Sequence, residues 1–534
     1  MRSLEPSEGS DVRESLVVSA PLRRALRSSA LFFAVALVPA IAQLACFAWA
    51  LVARVRYPMD LEWLEGPQLY EAFRFAHGLP VYGPPSQGFV PCPYPPLFHA
   101  VVGLVGRCFG FDWWNGRVVS DAAIVAVLAV QAAVVVRAAP SRRVGMVLAV
   151  MGAACVAAAY RPLEASMDLA RVDMLGVAIV AVAAWMAGAS AGAGKGTVAT
   201  VRPGVRAVAL GALLCAAVYT KQTNLFYVAF ILAWLARRDR RAAALAGGVA
   251  LGVAVVALVA LQQASGGWFW TWMVTMRHHA LVPAKCAVAG VLVTASAAAL
   301  GAVLRAFRRR GWLTATTRFW SGILAASVPA CVGPMLTGGG WINNLIGLVT
   351  LAVVVALLIA CDALRGLRAS GGHVEHPPDP SSGRLTAATA ERWLVATMAA
   401  FLAGALYDPS THVPDAARTR DAQALHATVR ALDGDVLLPM YPFVAARDGK
   451  TSPQISLVAY ADTVGPGRLN ADAERAVADE RPDWVILFGH DQEEAIARDL
   501  RGAYTREPTD LRVQALEETT GRSVTIWHRA HKLD

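Results

Sequence analysis

The sequence predicts a polytopic α-helical membrane protein with a small α/β domain at its C-terminus. Hydrophobic residues make up 56% of the 534 residues and charged residues only 16%, which is too apolar for a soluble protein. Apolar runs approaching the roughly 20 residues that cross a bilayer recur up to residue 406. After Tyr407 the charged residues and prolines become frequent, and apolar runs shrink to strand length. Lipid is therefore the expected solvent of residues 29–406, and water that of residues 407–534.

About eleven segments are apolar enough to be membrane spans. They are 31–54, 118–136, 144–160, 173–191, 206–220, 222–236, 242–262, 283–304, 319–335, 345–363 and 392–406. Arginine clusters occupy alternate gaps between them, which by the positive-inside rule places the tail 1–28 in the cytoplasm. This assignment requires that the apolar stretch 96–110, which begins among prolines, is re-entrant or juxtamembrane. We therefore expect an inner (plasma) membrane protein with a first outer loop at 55–117 and an extracytoplasmic C-terminal domain.

The C-terminal domain alternates strand and helix patterns, as a small α/β domain does. The strand patterns are 436–438, 484–488 and 523–527, and the helical patterns are 417–431, 470–479 and 491–502. A stretch rich in Gly, Pro and Ser at 369–390 predicts a flexible linker on the inner side.

The net charge of +10 comes mainly from arginines in short gaps between apolar runs, so it is not evidence for nucleic-acid binding. Among eight cysteines, only Cys92 and Cys108 fall near an outer loop, where one disulfide is an option. No metal-ligand spacing is present. The sequence predicts no cofactor, and it leaves the use of a divalent metal open.

Three carboxylates, Asp60, Glu62 and Glu65, lie within six positions directly after the first span. Near lipid, desolvation raises a carboxylate pKa and makes it a stronger base. Ionisable groups at a membrane boundary are costly, which favours a functional role for Asp60 and Glu65 over solvated loop positions. Glu71 is predicted to be a solvated loop residue.

A proline near the start and a glycine just past the end predict a short helix after these acids. Leu69, Phe73 and Ala76 share one face of it, so we expect the helix to lie on the bilayer surface.

Further candidate site residues lie in turns between spans. Lys221 either binds a lipid phosphate as a point charge or snorkels to the interface. Asn343 and Asn344 follow a run of three glycines and could bind a sugar hydroxyl, although a plain inter-helix turn fits this segment better. His278 and His279 follow a tryptophan-rich stretch, and adjacent histidines rarely reach one metal, so no metal site is predicted.

The order of these motifs resembles the GT-C superfamily of membrane glycosyltransferases. The similarity is greatest to family 39, the RgtA/B/C/D-like branch related to protein mannosyltransferases and aminoarabinose transferases. The residues that carry it are Asp60, Glu62, Glu65-Gly66, Tyr70–Gly78, Pro80–Tyr82, Tyr94–Phe98, Arg117, Lys221-Gln222 and the segment 338–344.

This resemblance implies that the first outer loop supplies an acidic catalytic residue and that a polyprenyl-phosphate sugar is the donor. In the family an adjacent Asp-Glu pair often opens the helix; here Glu65-Gly66 stands in its place, so Glu65, Asp60 and Glu62 all remain candidates. Lys221 and an arginine, Arg117 or Arg171, would meet the donor phosphate. His278 joins Asn343 and Asn344 as a candidate for acceptor or sugar binding.

The predicted function is inverting transfer of a sugar to an extracytoplasmic glycolipid, polysaccharide or protein, with membrane lipids and no nucleic acid as partners. No nucleotide-binding loop appears, in keeping with a lipid-borne donor. A transporter or lipid flippase is the alternative, but it would need charges or broken helices in mid-membrane. A non-catalytic scaffold that presents the C-terminal domain also stays open.

Overall fold

The structure is a computed structural model of the 534-residue chain. It describes residues 20–84, 89–189, 203–275, 280–371, 386–450, 454–456, 481–489, 493–500, 503–513 and 522–530.

Up to residue 404 the described chain is built almost entirely from helices. They are α1 (Ala20–Val55), α2 (Glu65–Ala76), α3 (Leu97–Phe109), α4 (Trp114–Ala138), α5 (Arg142–Ala158), α6 (Val172–Ala189), α7 (Pro203–Thr220), α8 (Leu225–Ala236), α9 (Arg240–Ala264), α10 (Trp268–Trp270), α11 (Pro283–Arg309), α12 (Ala315–Ser327), α13 (Gly333–Met335), α14 (Ile346–Gly371) and α15 (Ala387–Gly404). Each segment predicted as a span contains one of these helices. Pro329 and Pro334 explain why the span expected at 319–335 is broken by a π turn, Val328–Val332.

Six of the described helices are long and apolar enough to cross a membrane: α1, α4, α7, α9, α11 and α14. The chain is therefore a multi-pass membrane protein. That the remaining five predicted spans also cross stays a prediction.

The bundle centres on α4, α6 and α14, which pack against α5, α7 and α12. By contrast, α11 has no buried residue, as expected of a helix that faces lipid. One end of the bundle, here called the far face, is closed by side chains of α14: Asp362 accepts hydrogen bonds at the start of α12, and Arg368 contacts Pro140 and Glu391. The first loop lies at the opposite end, the near face.

The first loop is a folded unit, which corrects two expectations. Leu69 is fully buried and nine of the twelve residues of α2 are buried, because α3 covers one side of the helix. It does not lie on the bilayer with a free apolar face. Glu71, predicted to be solvated, has no exposed surface: it accepts a hydrogen bond from the Cys92 backbone and its Oε2 lies 3.2 Å from Nε2 of His99. Burial raises the pKa of Glu71 to about 8.

Cys92 is buried, Cys108 is exposed, and neither is in a disulfide, so the optional bridge between them is absent.

The C-terminal region forms the small α/β domain that was predicted. Its helices are α16 (Ala416–Ala431), α17 (Pro442–Arg447) and α18 (Glu494–Leu500), and its strands are β1 (Val436–Leu437), β2 (Trp484–Leu487), β3 (Tyr504–Glu507), β4 (Arg512–Val513), β5 (Arg522–Ser523) and β6 (Thr525–Arg529). The main sheet has the order β1-β2-β6-β3; β1 and β2 are parallel and the other pairs antiparallel. The helix expected at 470–479 lies outside the described residues.

This domain packs directly on the first loop, with α17 against α2, and the two share one hydrophobic core. The predicted linker at 369–390 is shorter than expected at both ends, because α14 continues to Gly371 and α15 begins at Ala387. Residues 372–385 lie outside the described part.

Candidate functional site

Glu65 and Arg117 form a buried ion pair that holds the first loop against α4. The Glu65 carboxylate accepts hydrogen bonds from Nε (3.1 Å) and a terminal nitrogen (2.7 Å) of Arg117. It also accepts hydrogen bonds from the backbone N–H groups of Leu61 and Ala170. Arg117 donates its remaining hydrogen bonds to backbone carbonyls of residues 54, 57 and 59. Neither side chain has exposed surface. All the polar atoms of the two side chains are bonded to each other or to the backbone, so the pair stabilises the fold of the loop.

Asp60 sits against the start of α2. Its Oδ2 accepts from the Gly66 N–H at 3.0 Å and its Oδ1 accepts from the Trp113 indole at 2.6 Å. A Cβ at position 66 would stand 2.3 Å from the carboxylate. Glycine at position 66 is therefore required by the close approach of Asp60.

The C-terminal domain completes the surroundings of Asp60. His426, on α16, contacts Asp448 through Nδ1 (2.5 Å) and the Pro58 carbonyl through Nε2 (2.8 Å). Its ring packs edge-on against Trp113, which also packs on Phe443. Trp113, which donates a hydrogen bond to Asp60, is thus held in position by His426 and Phe443 of the C-terminal domain.

A second polar network runs from Glu62 across the near face of the bundle. Glu62 pairs with Arg171 at 2.7 Å, and Arg171 lies 3.5 Å from Asp173. Asp173 pairs with Lys221 at 2.6 Å and accepts from Asn343 at 2.9 Å, and Lys221 also donates to Asn344 at 2.8 Å. The network contains two carboxylates and two cationic side chains, so their formal charges cancel.

Two acceptor atoms in this network lack a partner among the described residues: Oε1 of Glu62 and Oδ1 of Asn343. Both oxygens of Asp60 and of Glu65 are occupied. Buried acceptors normally find partners, so these two atoms are suited to bind a ligand.

Burial is the largest single influence on the pKa of each of the three acids, but it decides the direction of the shift only for Asp60 and Glu62. Burial raises the pKa of Asp60 to about 8, with a further rise from Glu65. Burial raises the pKa of Glu62 to about 7, against the opposing effect of Arg171. For Glu65 burial also favours the neutral acid, but Arg117 and the backbone N–H groups outweigh it and hold the pKa below its usual value.

An apolar cavity of about 1110 Å³ lies between α11 on one side and α12 and α14 on the other, and its lining includes Leu345, the residue that follows Asn344 of the network. Leu345, Leu348 and Val349 line it on α14 and the turn that precedes it, and Lys285 marks its polar end. Lys285 donates to the carbonyls of Thr337 and Gly340. The segment 337–344 therefore connects the cavity to Asn343 and Asn344 of the network.

Neither a family model nor a curated protein sequence matches this chain. Among solved structures it is similar to ArnT from Cupriavidus metallidurans, determined bound to undecaprenyl phosphate (TM-score 0.54, 12% identity, 94% of this chain and 98% of that chain covered) and in the apo state (TM-score 0.53, 14% identity). ArnT is an aminoarabinose transferase of the GT-C type. The chain has the GT-C fold.

A lower similarity links it to the oligosaccharyltransferase AglB from Archaeoglobus fulgidus in complex with an inhibitory peptide and a dolichol-phosphate (TM-score 0.40, 12% identity, 83% of this chain and 69% of that chain covered). The GT-C fold predicted from the order of the sequence motifs is confirmed through the match to ArnT.

Within this GT-C fold, most predicted site residues come together. Glu62, Arg171, Lys221, Asn343 and Asn344 belong to one network. Lys221 is buried, so it does not snorkel to the surface. Asp60, Glu65 and Arg117 lie in the adjoining loop, and His278 lies outside the described residues.

Sequence reasoning missed three residues of this region. Lys285, at the start of an otherwise apolar span, had a detectable signal as a lone cation. Trp113 and His426 had none, because their importance arises only from contacts with distant segments. Across the described residues, no group of three or more His, Cys, Asp or Glu side chains is placed to hold a metal ion.

Proposed function

We propose that this protein is a membrane glycosyltransferase that moves a sugar from a polyprenyl-phosphate donor to an extracytoplasmic acceptor by an inverting mechanism. The observation that carries the proposal is the buried network in which Glu62, with one free oxygen, pairs with Arg171 and is linked through Asp173 to Lys221, with an apolar cavity next to its Asn344 end. An acid, a pair of cations and a lipid-sized groove are the parts that this reaction needs.

The cavity between α11 and α14 is suited to the polyprenyl chain of the donor. It is lined almost wholly by aliphatic side chains and is bounded on one side by α11, which faces lipid. We assign the phosphate to Lys285 at its polar end and to Lys221 in the network, because lysine binds phosphate as a point charge. The binding of undecaprenyl phosphate by ArnT, which shares the fold, supports this assignment.

Glu62 is the proposed general base. Its free Oε1 takes the proton of an acceptor hydroxyl while the hydroxyl oxygen attacks the anomeric carbon from the face opposite the phosphate. The bond between that carbon and the phosphate oxygen breaks, and polyprenyl phosphate leaves with its electron pair. Arg171 and Lys221 stabilise the developing negative charge on the phosphate. The sugar thereby inverts its configuration.

The remaining predicted residues take other roles in this proposal. Glu65 and Arg117 hold the loop, because every polar atom of the pair is already used. Asp60 is the second choice for the base, since an acceptor would have to displace Trp113 or Gly66 from it. Asn343 offers its free Oδ1 to a sugar hydroxyl, while Asn344 orients Lys221.

We further propose that the near face is extracytoplasmic and that the chain resides in the plasma membrane with its N-terminus inside. The arginine clusters that favour the cytoplasm, such as the one beginning at Arg237 and Arg238, follow helices that start at the network and end at the far face. In the proposed step Arg171 and Lys221 meet the charge of the phosphate, and the rate measured with and without EDTA decides whether a divalent metal also takes part.

The proposal is tested with purified protein and radiolabelled polyprenyl-phosphate sugars, by measuring sugar release and transfer. Glu62→Gln is expected to lose about 10²- to 10⁴-fold in turnover, the usual contribution of a general base. Glu391→Gln, at the far face, is the matched control and should retain full activity.

Failure of the wild-type protein to release sugar from several donors would reject glycosyl transfer. If the wild type instead moves the intact donor across vesicles, the flippase alternative holds. If only Asp60→Asn is inactive, the base is Asp60.

A further inference from the structure

A second cavity of about 950 Å³ lies at the near face, between the end of α1, the start of α4 and helix α16 of the C-terminal domain. Its lining includes three arginines, Arg56, Arg430 and Arg447, and one carboxylate, Asp112. No member of the Glu62–Lys221 network lines it. It is a separate site with an excess of positive charge.

The arginines differ in how far they are already engaged. Arg447 is fixed between Asp112 (3.2 Å) and Asp448 (3.1 Å). Arg430 uses only Nε for Asp448, and its side chain is 56% exposed. Arg56 is exposed, and its side chain has no hydrogen bond or ion pair with any described residue. Arg56 and the terminal nitrogens of Arg430 are therefore free donors that face one cavity.

The floor of this cavity is apolar and continues along the lipid-facing side of the bundle. Val55 and Val118 line it, together with Trp114, a residue type enriched at membrane interfaces. Below them Val52 and Val125 are 75% and 67% exposed and lie on the same faces of α1 and α4. A ligand in the cavity would thus have a cationic rim around its head and aliphatic side chains along its tail.

We propose that this cavity binds an acidic membrane phospholipid, with the phosphate of its head group held by Arg56 and Arg430 and an acyl chain along α1 and α4. Basic pockets at the ends of membrane helices bind acidic head groups through such contacts. The lipid would join the C-terminal domain to the membrane at the point where that domain supports the first loop. This inference does not depend on glycosyl transfer.

The test is lipid binding to the purified full-length protein by native mass spectrometry, comparing phosphatidylglycerol with phosphatidylcholine of the same acyl chains. Replacing a surface cation weakens acidic-lipid binding by about fivefold, so Arg56→Gln/Arg430→Gln should lose about thirtyfold in affinity for phosphatidylglycerol. Binding of phosphatidylcholine should not change. Arg237→Gln/Arg240→Gln, the same charge change at the far face, should keep the site.

A phosphatidylglycerol with a photoactivatable acyl chain locates the site. Crosslinks are expected within 52–55 and 118–125 of the wild type and should be lost in Arg56→Gln/Arg430→Gln. Absence of these crosslinks, or their persistence in the double variant, overturns the proposal. So does glycerol 3-phosphate that binds as tightly as the lipid, because the occupant would then be a free phosphate.

Discussion

Arg117 tests whether the first loop is held by a buried ion pair. Arg117→Met removes five hydrogen bonds, three of them to backbone carbonyls of the chain that leaves α1. It also leaves the Glu65 carboxylate buried without its cation. Loss of one partner from a buried pair costs about 3–5 kcal/mol, because the remaining charge cannot be solvated. We expect the free energy of unfolding to fall by that amount.

The measurement is pulse proteolysis of the detergent-solubilised protein across an SDS titration, which reports the free energy of unfolding. Arg430→Met is the matched control, because the Arg430 side chain is 56% exposed and the buried Asp448 keeps His426 and Arg447 as partners, so the loss should be at most about 1 kcal/mol. The double variant Arg117→Met/Glu65→Leu should lose less than the sum of the two single variants, since no unpaired charge is left behind.

A loss for Arg117→Met no larger than that for Arg430→Met would refute the reasoning. Glu65 would then return to the set of candidate bases, because an acid that does not anchor the loop is free for chemistry.

Four further predictions follow from the site and from the cavity between α11 and α14. Activity should rise with pH through about 7, because burial raises the pKa of Glu62 to about 7 and a base must be ionised; a pH profile without that rise argues against Glu62. The folded-state pKa of Asp60, about 8 against a usual 3.8, means that this group stabilises the fold at low pH and loses that effect as pH rises from 4 to 8, so Asp60→Asn should flatten the measured pH dependence of unfolding. Gly66→Ala should lower turnover and change KM less, because the added Cβ would displace the Asp60 carboxylate. An unchanged turnover would show that the reaction does not need Asp60 in its present position. In the cavity between α11 and α14, Leu348→Trp should weaken binding of undecaprenyl phosphate by about tenfold in a titration. Leu251→Trp, on the lipid-exposed side of α9, should leave that binding unchanged.

Much of the fold could be predicted from the sequence because its signals are local. An apolar run of sufficient length forms a helix in lipid, where each backbone N–H must find a carbonyl within the same segment. All eleven segments are helical for this reason, and the strands at 436–438 and 484–488 were likewise evident from short apolar runs. The acidic stretch at 60–65 was recognisable because charge beside a span is costly.

The predictions for Glu71 and helix α2 were wrong because the contacts that bury them are not local in sequence. Local pattern showed an amphipathic helix next to a membrane, and lipid was the natural cover for its apolar face. In the structure α3 and α17 cover it instead. Periodicity identifies a face that must be buried, but it carries no information about which surface buries it.

The sequence alone determined a multi-pass bundle, an acidic first loop and a separate α/β domain. Which acid is free for chemistry was decided by tertiary structure, because each deciding contact joins distant positions: Glu65 and Arg117 are 52 residues apart, Lys221 and Asp173 are 48, and His426 and Pro58 are 368. Three similar carboxylates within six positions acquire different partners only when the chain has folded, and the partner of a buried charge determines its function.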